Sequence, residues 1–305
     1  MTTPLRIVFM GTPEFAVASL DAIRLAGFDI VGVVTAPDKP SGRGLNMHAS
    51  AVKTYAVNHG LRILQPLKLK DESFVRELAS LQADLFVVVA FRMLPEVVWS
   101  MPKLGSINLH GSLLPQFRGA APIQRAIMSG VHETGVTTFL LQHEIDTGHI
   151  LFQERIPITE HMTAGELHDT MMPIGATLLV KTIHALACGE AQPIPQDSVM
   201  PDACLHAPKI FREDMRVDWQ KSVREVDQQV RGLSPYPAAW TTFRELTLKI
   251  YAGKPLPHHP IEHAVETDGS TYLRFACADG AYEVTDVQLE GKKRMDVQSL
   301  LRGLR

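Results

Sequence analysis

An asparagine and a histidine two residues apart, Asn108 and His110, stand where a short alternating stretch runs into Gly111. Residues 104–109 alternate like a strand, and strand side chains at i and i+2 share a face, so the amide and the imidazole point the same way. Asp146, in the polar run Gln142-His143-Glu144-Ile145-Asp146-Thr147-Gly148-His149, adds a carboxylate. An amide donor can steady a developing oxyanion, an imidazole can exchange a proton near neutral pH, and a carboxylate can orient or stabilise the imidazolium. Together these three suit acyl transfer to an amine. The plainer alternative leaves His110 a structural strand-end histidine and Asp146 a turn residue. Neither Ser112 nor any cysteine has the setting of an activated nucleophile, which favours direct transfer over a covalent acyl-enzyme. A metal site using His110, Asp146 and His143 or His149 matches no familiar ligand spacing, and none is expected. His258, His259 and His263 read as a Pro-flanked surface loop.

The elements around these residues follow an α/β pattern. Residues 5–10 are a buried-strand run, Thr12 and Pro13 open an amphipathic helix that Gly27 closes, and residues 29–35 are a second strand, so the chain starts as a βαβ unit on a parallel sheet. Its first turn has one glycine where a dinucleotide fingerprint needs three, which argues against NAD. Residues 36–50 form a Pro/Gly-rich loop in which Lys39 and Arg43 could meet phosphates or simply face solvent. Residues 84–90, Asp-Leu-Phe-Val-Val-Val-Ala, are the most apolar strand and belong at the sheet centre. Residues 134–141 and 150–158 read as an antiparallel pair at the sheet edge, and Thr163 with Glu166 as the capping box of a long helix to about 188 with Pro173 as a possible bend point. Dense Pro, Asp and Ser punctuation marks residues 189–207 as a linker. Beyond it, a helix over 222–231 and short strands over 241–251, 263–266, 271–277 and 282–289 predict a small β-barrel of the OB-like kind that often handles oligonucleotides. The expected architecture is therefore a Rossmann-like, mostly parallel sheet in residues 1–188 and a C-terminal barrel in 208–305.

With 45% hydrophobic and 21% charged residues over 305 positions, the chain reads as globular, and no apolar run looks long enough to span a bilayer. A net charge of −3 excludes a surface that is basic throughout, while leaving room for a local basic groove. The N-terminus lacks a basic leader and a small-residue cleavage site, and Cys188, Cys204 and Cys277 form no disulfide framework, so a reduced cytoplasm is the expected location.

The stretch Asn108-Leu109-His110-Gly111-Ser112-Leu113-Leu114-Pro115-Gln116-Phe117-Arg118-Gly119-Ala120-Ala121-Pro122-Ile123 resembles the folate-dependent formyltransferases, and within them the methionyl-tRNA formyltransferases. Gly11-Thr12-Pro13-Glu14-Phe15, Pro37-Asp38-Lys39-Pro40 with Gly42-Arg43-Gly44, Glu133-Thr134-Gly135-Val136-Thr137, Asp146-Thr147-Gly148 and Ser234-Pro235-Tyr236-Pro237-Ala238-Ala239-Trp240 resemble further motifs of that family in the same order, so the likeness covers nearly the whole chain. It implies transfer of a formyl group from 10-formyltetrahydrofolate to the α-amine of initiator methionyl-tRNA, without a metal, by a monomer that needs no membrane. Carried over residue by residue, Asn108 and His110 would polarise the formyl oxygen and Asp146 would hold His110 and help move the amine's proton. Ser112, Leu113, Leu114 and Pro115 would line the folate site with Val89, Ala90, Phe91 and Arg92, and Lys39 and Arg43 would meet tRNA. The chain departs from the family pattern at Leu45-Asn46, where a lysine pair is usual, and at Phe91-Arg92-Met93, where a Tyr-Gly-rich stretch is more familiar. An amino-sugar formyltransferase, or an RNA-binding module with a decayed catalytic domain, are the rival readings.

Overall fold

The apolar runs at the start of the chain become β1 (Arg6–Gly11), α1 (Glu14–Leu25) and β2 (Asp29–Val34) of a computed structural model that describes residues 4–41 and 46–304. Pro13, not Thr12, is the cap residue of α1, and its extended backbone starts the helix without a side-chain cap. The Pro/Gly-rich stretch is less irregular than its composition predicts. It holds β3 (Lys39–Ser41) and β4 (Asn46–His48), paired antiparallel with Lys39 opposite His48, while residues 42–45, Arg43 among them, lie outside the described residues. There follow α2 (Ala51–Asn58), β5 (Ile63–Leu64), α3 (Glu72–Ser80), β6 (Leu85–Val89), α4 (Glu96–Trp99) and β7 (Ser106–His110). After α5 (Pro122–Met128) come β8 (Glu133–Leu140), β9 (Ile150–Pro157) and α6 (Ala164–Ala187).

Among the described residues seven strands form one sheet in the order β5-β2-β1-β6-β7-β8-β9, with β6 in the middle as its unbroken burial requires. The strands from β5 to β7 run parallel, and β8 turns antiparallel against β7. The chain moves outward from β1 to β2 and β5, then crosses to β6 on the other side of β1, so the strand order reverses between β1 and β6. In an open α/β sheet, the crevice beyond the carboxyl ends of the strands at such a reversal is where ligands bind. Alternate residues Val8, Met10, Phe86 and Val88 pack with Phe74 and Leu78 of α3 on one face. Helix α6 lies over Leu109, and Gly175 leaves room there, because a Cβ would come within 2.8 Å of that leucine's side chain. By length and composition α6 could cross a bilayer, an exception to the sequence expectation, but its Leu167, Met171, Leu179 and Ile183 are buried within the protein.

The remaining elements are α7 (Val223–Leu233), β10 (Ala239–Phe243), β11 (Leu246–Pro257), β12 (Val265–Thr267), β13 (Leu273–Cys277), β14 (Gly280–Leu289), β15 (Met295–Asp296) and α8 (Val297–Arg302). The strands are antiparallel in the order β10-β11-β14-β13-β12, with β15 on β14. Register shifts at 250–253 in β11 increase local twist and curl this sheet into a half-barrel. Ser222 and Glu225 close a capping box on α7, whose Val223, Val226, Val230 and Leu233 bury against Leu248, Ile250, Phe275 and Tyr282.

The chain forms two compact units that are not contiguous in sequence. One gathers Met1–Arg118, Gly135–Ile156 and Asp169–Leu205, and the other Gly119–Thr134, Pro157–His168 and His206–Arg305. The stretch read as a linker is packed into the first unit at Ile194, which pairs with Ile150, and at Gln196.

Candidate active site

Strand β7 delivers Asn108 and His110 to the carboxyl edge of the sheet, beside Val88 and Val89 of β6. Asn108 Nδ2 donates to the Val88 carbonyl at 3.0 Å, which fixes the plane of the amide and leaves its second N–H for another acceptor. His110 is only 7% exposed, and its Nε2 lies 2.9 Å from the Phe117 carbonyl oxygen. A carbonyl can only accept, so Nε2 carries the hydrogen and Nδ1 is the ring atom that faces outward. Nδ1 is 3.8 Å from Asp146 Oδ2, with both side chains largely shielded from solvent. That distance is too long for a direct hydrogen bond, but one atom beside the pair can sit within about 3 Å of both.

Three non-glycine residues that frame this pair have left-handed backbone: Ala90 at φ +46°, Phe117 at +59° and Asp146 at +55°. Each such conformation costs on the order of 1 kcal/mol, less for aspartate, and such residues cluster at functional sites. At Asp146 the loop is pressed onto the sheet: a Cβ on Gly148 would run into the Leu140 carbonyl, so glycine two residues on is what lets the turn descend.

The run after β7 is held tightly. The Ser112 hydroxyl donates to Gln116 O at 2.6 Å and is fully buried, so it is spent on the loop. Thr137 Oγ1 donates to Ser112 O at 2.6 Å and accepts from Leu114 N at 3.1 Å, while Gln153 Nε2 donates to Leu114 O at 2.8 Å. Leu114 packs with Phe139 and Ile150, Pro115 is buried, and Leu113 is half-buried beside Gly135. On the other wall Val89 is buried, Ala90 is exposed and Phe91 is half-buried. Arg92 lies over the Phe91 ring and donates to the carbonyls of Leu67, at 2.9 Å, and Pro66, so its guanidinium braces a loop. Lys39 is exposed on its hairpin. Beside it, the Lys53 ammonium 2.5 Å away, and then Gln65, hold the Asp38 carboxyl below the usual carboxylate range. Among the described residues no group of three His, Cys, Asp or Glu side chains could hold a metal ion.

Residues 5–183 match the formyl transferase family, and residues 209–305 match the formyl transferase C-terminal domain. The chain belongs to the formyl transferase family. It is a formyl-transferring enzyme. Similar curated proteins include the methionyl-tRNA formyltransferases of Phocaeicola vulgatus, 52% identical with 99% of this chain and 96% of that protein covered, and of Bacteroides fragilis, 49% identical with 98% and 95% covered. Among solved structures, an N-formyltransferase from Helicobacter canadensis in complex with folinic acid and dTDP-3-aminofucose superimposes with a TM-score of 0.70 at 20% identity, covering 95% of this chain and all of that one. HypX from Aquifex aeolicus in complex with tetrahydrofolic acid gives 0.63 at 17% identity, covering 98% of this chain and 47% of that one. These two likenesses are of fold.

Two residues that hold the loops of this candidate site carry no signal of that role in the sequence. Thr137 closes the Glu133–Thr137 motif, but that β-branched run does not show which loop its hydroxyl holds. Gln196 lies in the Pro-rich stretch, 2% exposed, and only its burial reveals it.

Proposed function

We propose that the protein transfers the formyl group of 10-formyltetrahydrofolate to the α-amine of initiator methionyl-tRNA. The observation that carries this reading is the buried His110–Asp146 pair, 3.8 Å apart, next to the Asn108 amide at the carboxyl edge of the sheet. Relatives about half identical over nearly the whole chain and named for methionyl-tRNA support the acceptor. Folate derivatives in two neighbours of the fold support the donor.

In this reading the neutral α-amine attacks the formyl carbon, and the old carbonyl oxygen becomes an anion. The second N–H of Asn108 steadies it, and so does His110 once Nδ1 is protonated and the ring is an imidazolium beside Asp146, each such donor being worth roughly 3 kcal/mol. Asp146 takes the proton the amine loses and returns it to the nitrogen of the departing folate as its bond to the formyl carbon breaks. With a reference pKa of about 7.7–8.0, an α-amine needs little help to be neutral in the cytoplasm, where we place the enzyme. Ala90, Phe91 and Leu113 offer an apolar wall for the donor's ring, and the backbone of Ser112, Leu114 and Pro115 borders it. Lys39, Arg43 and the C-terminal region of residues 208–305 contact the tRNA.

The test is to supply labelled 10-formyltetrahydrofolate with either methionyl-tRNA or a nucleotide-linked amino sugar. Label on methionyl-tRNA alone is expected. Transfer to the sugar alone replaces the acceptor, and tRNA binding without transfer to either removes catalysis from the reading.

A further inference from the structure

Gln196 spans two parts of the site that the chain makes separately. Its Nε2 donates to two main-chain carbonyls of the Asp146 turn, Asp146 O at 2.9 Å and Gly148 O at 2.8 Å. Its Oε1 accepts two bonds from the Arg118 guanidinium, from Nε at 2.9 Å and Nη2 at 2.6 Å. Arg118 follows Phe117, whose carbonyl receives the Nε2–H of His110. One buried amide therefore ties the loop that fixes the imidazole to the turn that carries the carboxylate. All four of its hydrogen-bonding positions face named partners, which is the full complement of two donors and two acceptor lone pairs.

The segment around Gln196 is itself fastened at both ends. Ile194 exchanges both backbone hydrogen bonds with Ile150 at 2.8 Å. Further on, Phe117 N donates to Leu205 O at 2.6 Å, Leu205 N donates to Gln116 Oε1 at 2.7 Å, and Gln116 Nε2 donates to Ala203 O at 2.9 Å. The segment is a strap laid across the site loop, and Gln196 is where the strap meets Asp146.

We infer that Gln196 is a positioning residue for the formyl transfer: it sets the Asp146 carboxylate against His110 by clamping the turn's main chain to Arg118. The inference rests on the reading of Asp146 given above. It does not extend to donor binding, because the Ser112–Pro115 run is stapled by Thr137 and Gln153.

Gln196→Glu tests it. The glutamate still accepts from Arg118 but turns an oxygen instead of an amine toward the two carbonyls, which repels the turn at nearly constant volume. A misplacement of the carboxylate by about 1 Å should lower kcat about 10- to 100-fold, with KM for the formyl donor moving less than about 2-fold. Asp146→Asn provides the background for a double-mutant cycle. If Gln196 acts through Asp146, adding Gln196→Glu to Asp146→Asn costs less than about 2-fold more, whereas a merely structural residue multiplies its full loss there. Gln196→Met leaves the carbonyls unpaired without adding charge, and it carries the same cycle if the glutamate variant does not fold. Near-normal kcat in folded Gln196→Glu or Gln196→Met, or full multiplicativity with Asp146→Asn, overturns the inference alone. Near-normal turnover of Asp146→Asn by itself overturns the reading of Asp146 and this inference with it.

Discussion

Asp146→Asn removes a charge and almost nothing else. Asparagine tolerates the left-handed backbone that residue 146 adopts at φ +55°, and Gln196 grips this turn through main-chain carbonyls that the substitution leaves in place. The variant should therefore fold with an unfolding midpoint close to the parent's. What it loses is the interaction between a carboxylate and the imidazolium, or the developing ammonium, beside it. Two unit charges at the observed 3.8 Å attract by about 4 kcal/mol at an effective dielectric of about 20, an upper limit for a pair that keeps some solvent exposure. Taking half to three quarters of that as specific to the transition state gives about 2–3 kcal/mol, or roughly a 30- to 200-fold lower kcat, which overlaps the usual range for losing a general base. The assay is steady-state formylation of methionyl-tRNA at saturating donor, with KM for the donor followed in parallel. A kcat within about 5-fold of the parent would show that the 3.8 Å pair does not carry the proton. An equal loss in donor binding would show instead that Asp146 belongs to the folate contact.

Other consequences are as direct. His110→Gln keeps an N–H for the Phe117 carbonyl but no exchangeable proton, so turnover should drop by about 10²-fold or more while the melting temperature holds; a full-rate variant would leave His110 a structural residue. Gly148→Ala forces a methyl onto the Leu140 carbonyl and should cost at least about 2 kcal/mol in chemical denaturation, together with activity, since the turn it distorts holds Asp146; unchanged stability would mean the turn can move aside freely. Arg43→Ala should weaken methionyl-tRNA binding and reduce the slope of log affinity against log salt by about 0.7–0.9, as for the loss of one phosphate contact, and an unaltered slope would take Arg43 off the RNA. Burial pushes the Cys277 thiol up to about 11, with Asp279 adding to the effect, so a thiol reagent at neutral pH should modify exposed Cys188 first and leave formylation intact. Fast modification of Cys277 would contradict its burial.

How much of this could be read from the sequence depends on whether the relevant physics is local. The parallel core is local in that sense: Leu85–Val89 is apolar on both faces, which only a covered central strand allows, and it lies in the middle of the sheet. The placement of Asn108 and His110 on one strand end follows from a period of two. The C-terminal strands were harder. The run over 241–251 is two strands, broken at Arg244 and Glu245, both at positive φ, in a two-residue hairpin. Such turns usually announce themselves with Asn-Gly or a similar pair, and Arg-Glu carries no such mark. Pro40 hid the β3–β4 hairpin in the same way, since proline argues against a strand. Gln196 was beyond reach because its role is set by four hydrogen bonds to three residues 48 to 78 positions away, and no local pattern encodes that.

The strain around the pair bears on why the strap exists at all. Residues at positive φ with side chains relax unless their neighbours forbid it, and each costs on the order of 1 kcal/mol that the fold must offset. Phe117 is held in that state from both sides, by its N–H on Leu205 O and by its carbonyl under His110. The Asp146 turn is held by Gln196, at Asp146 O and at Gly148 O. If the strap were only a connector to the following domain, two of the three positive-φ residues of the site would not both be anchored to it. Through Gln196 and Leu205 the strap reaches both partners of the proposed proton-transfer pair, so a change at Gln196 acts on the geometry between them, while Ser112 and Leu114 beside the proposed donor wall are held by Thr137 and Gln153. Mutations at Gln196 should thus separate kcat from donor affinity, a separation that a passive linker has no means to produce.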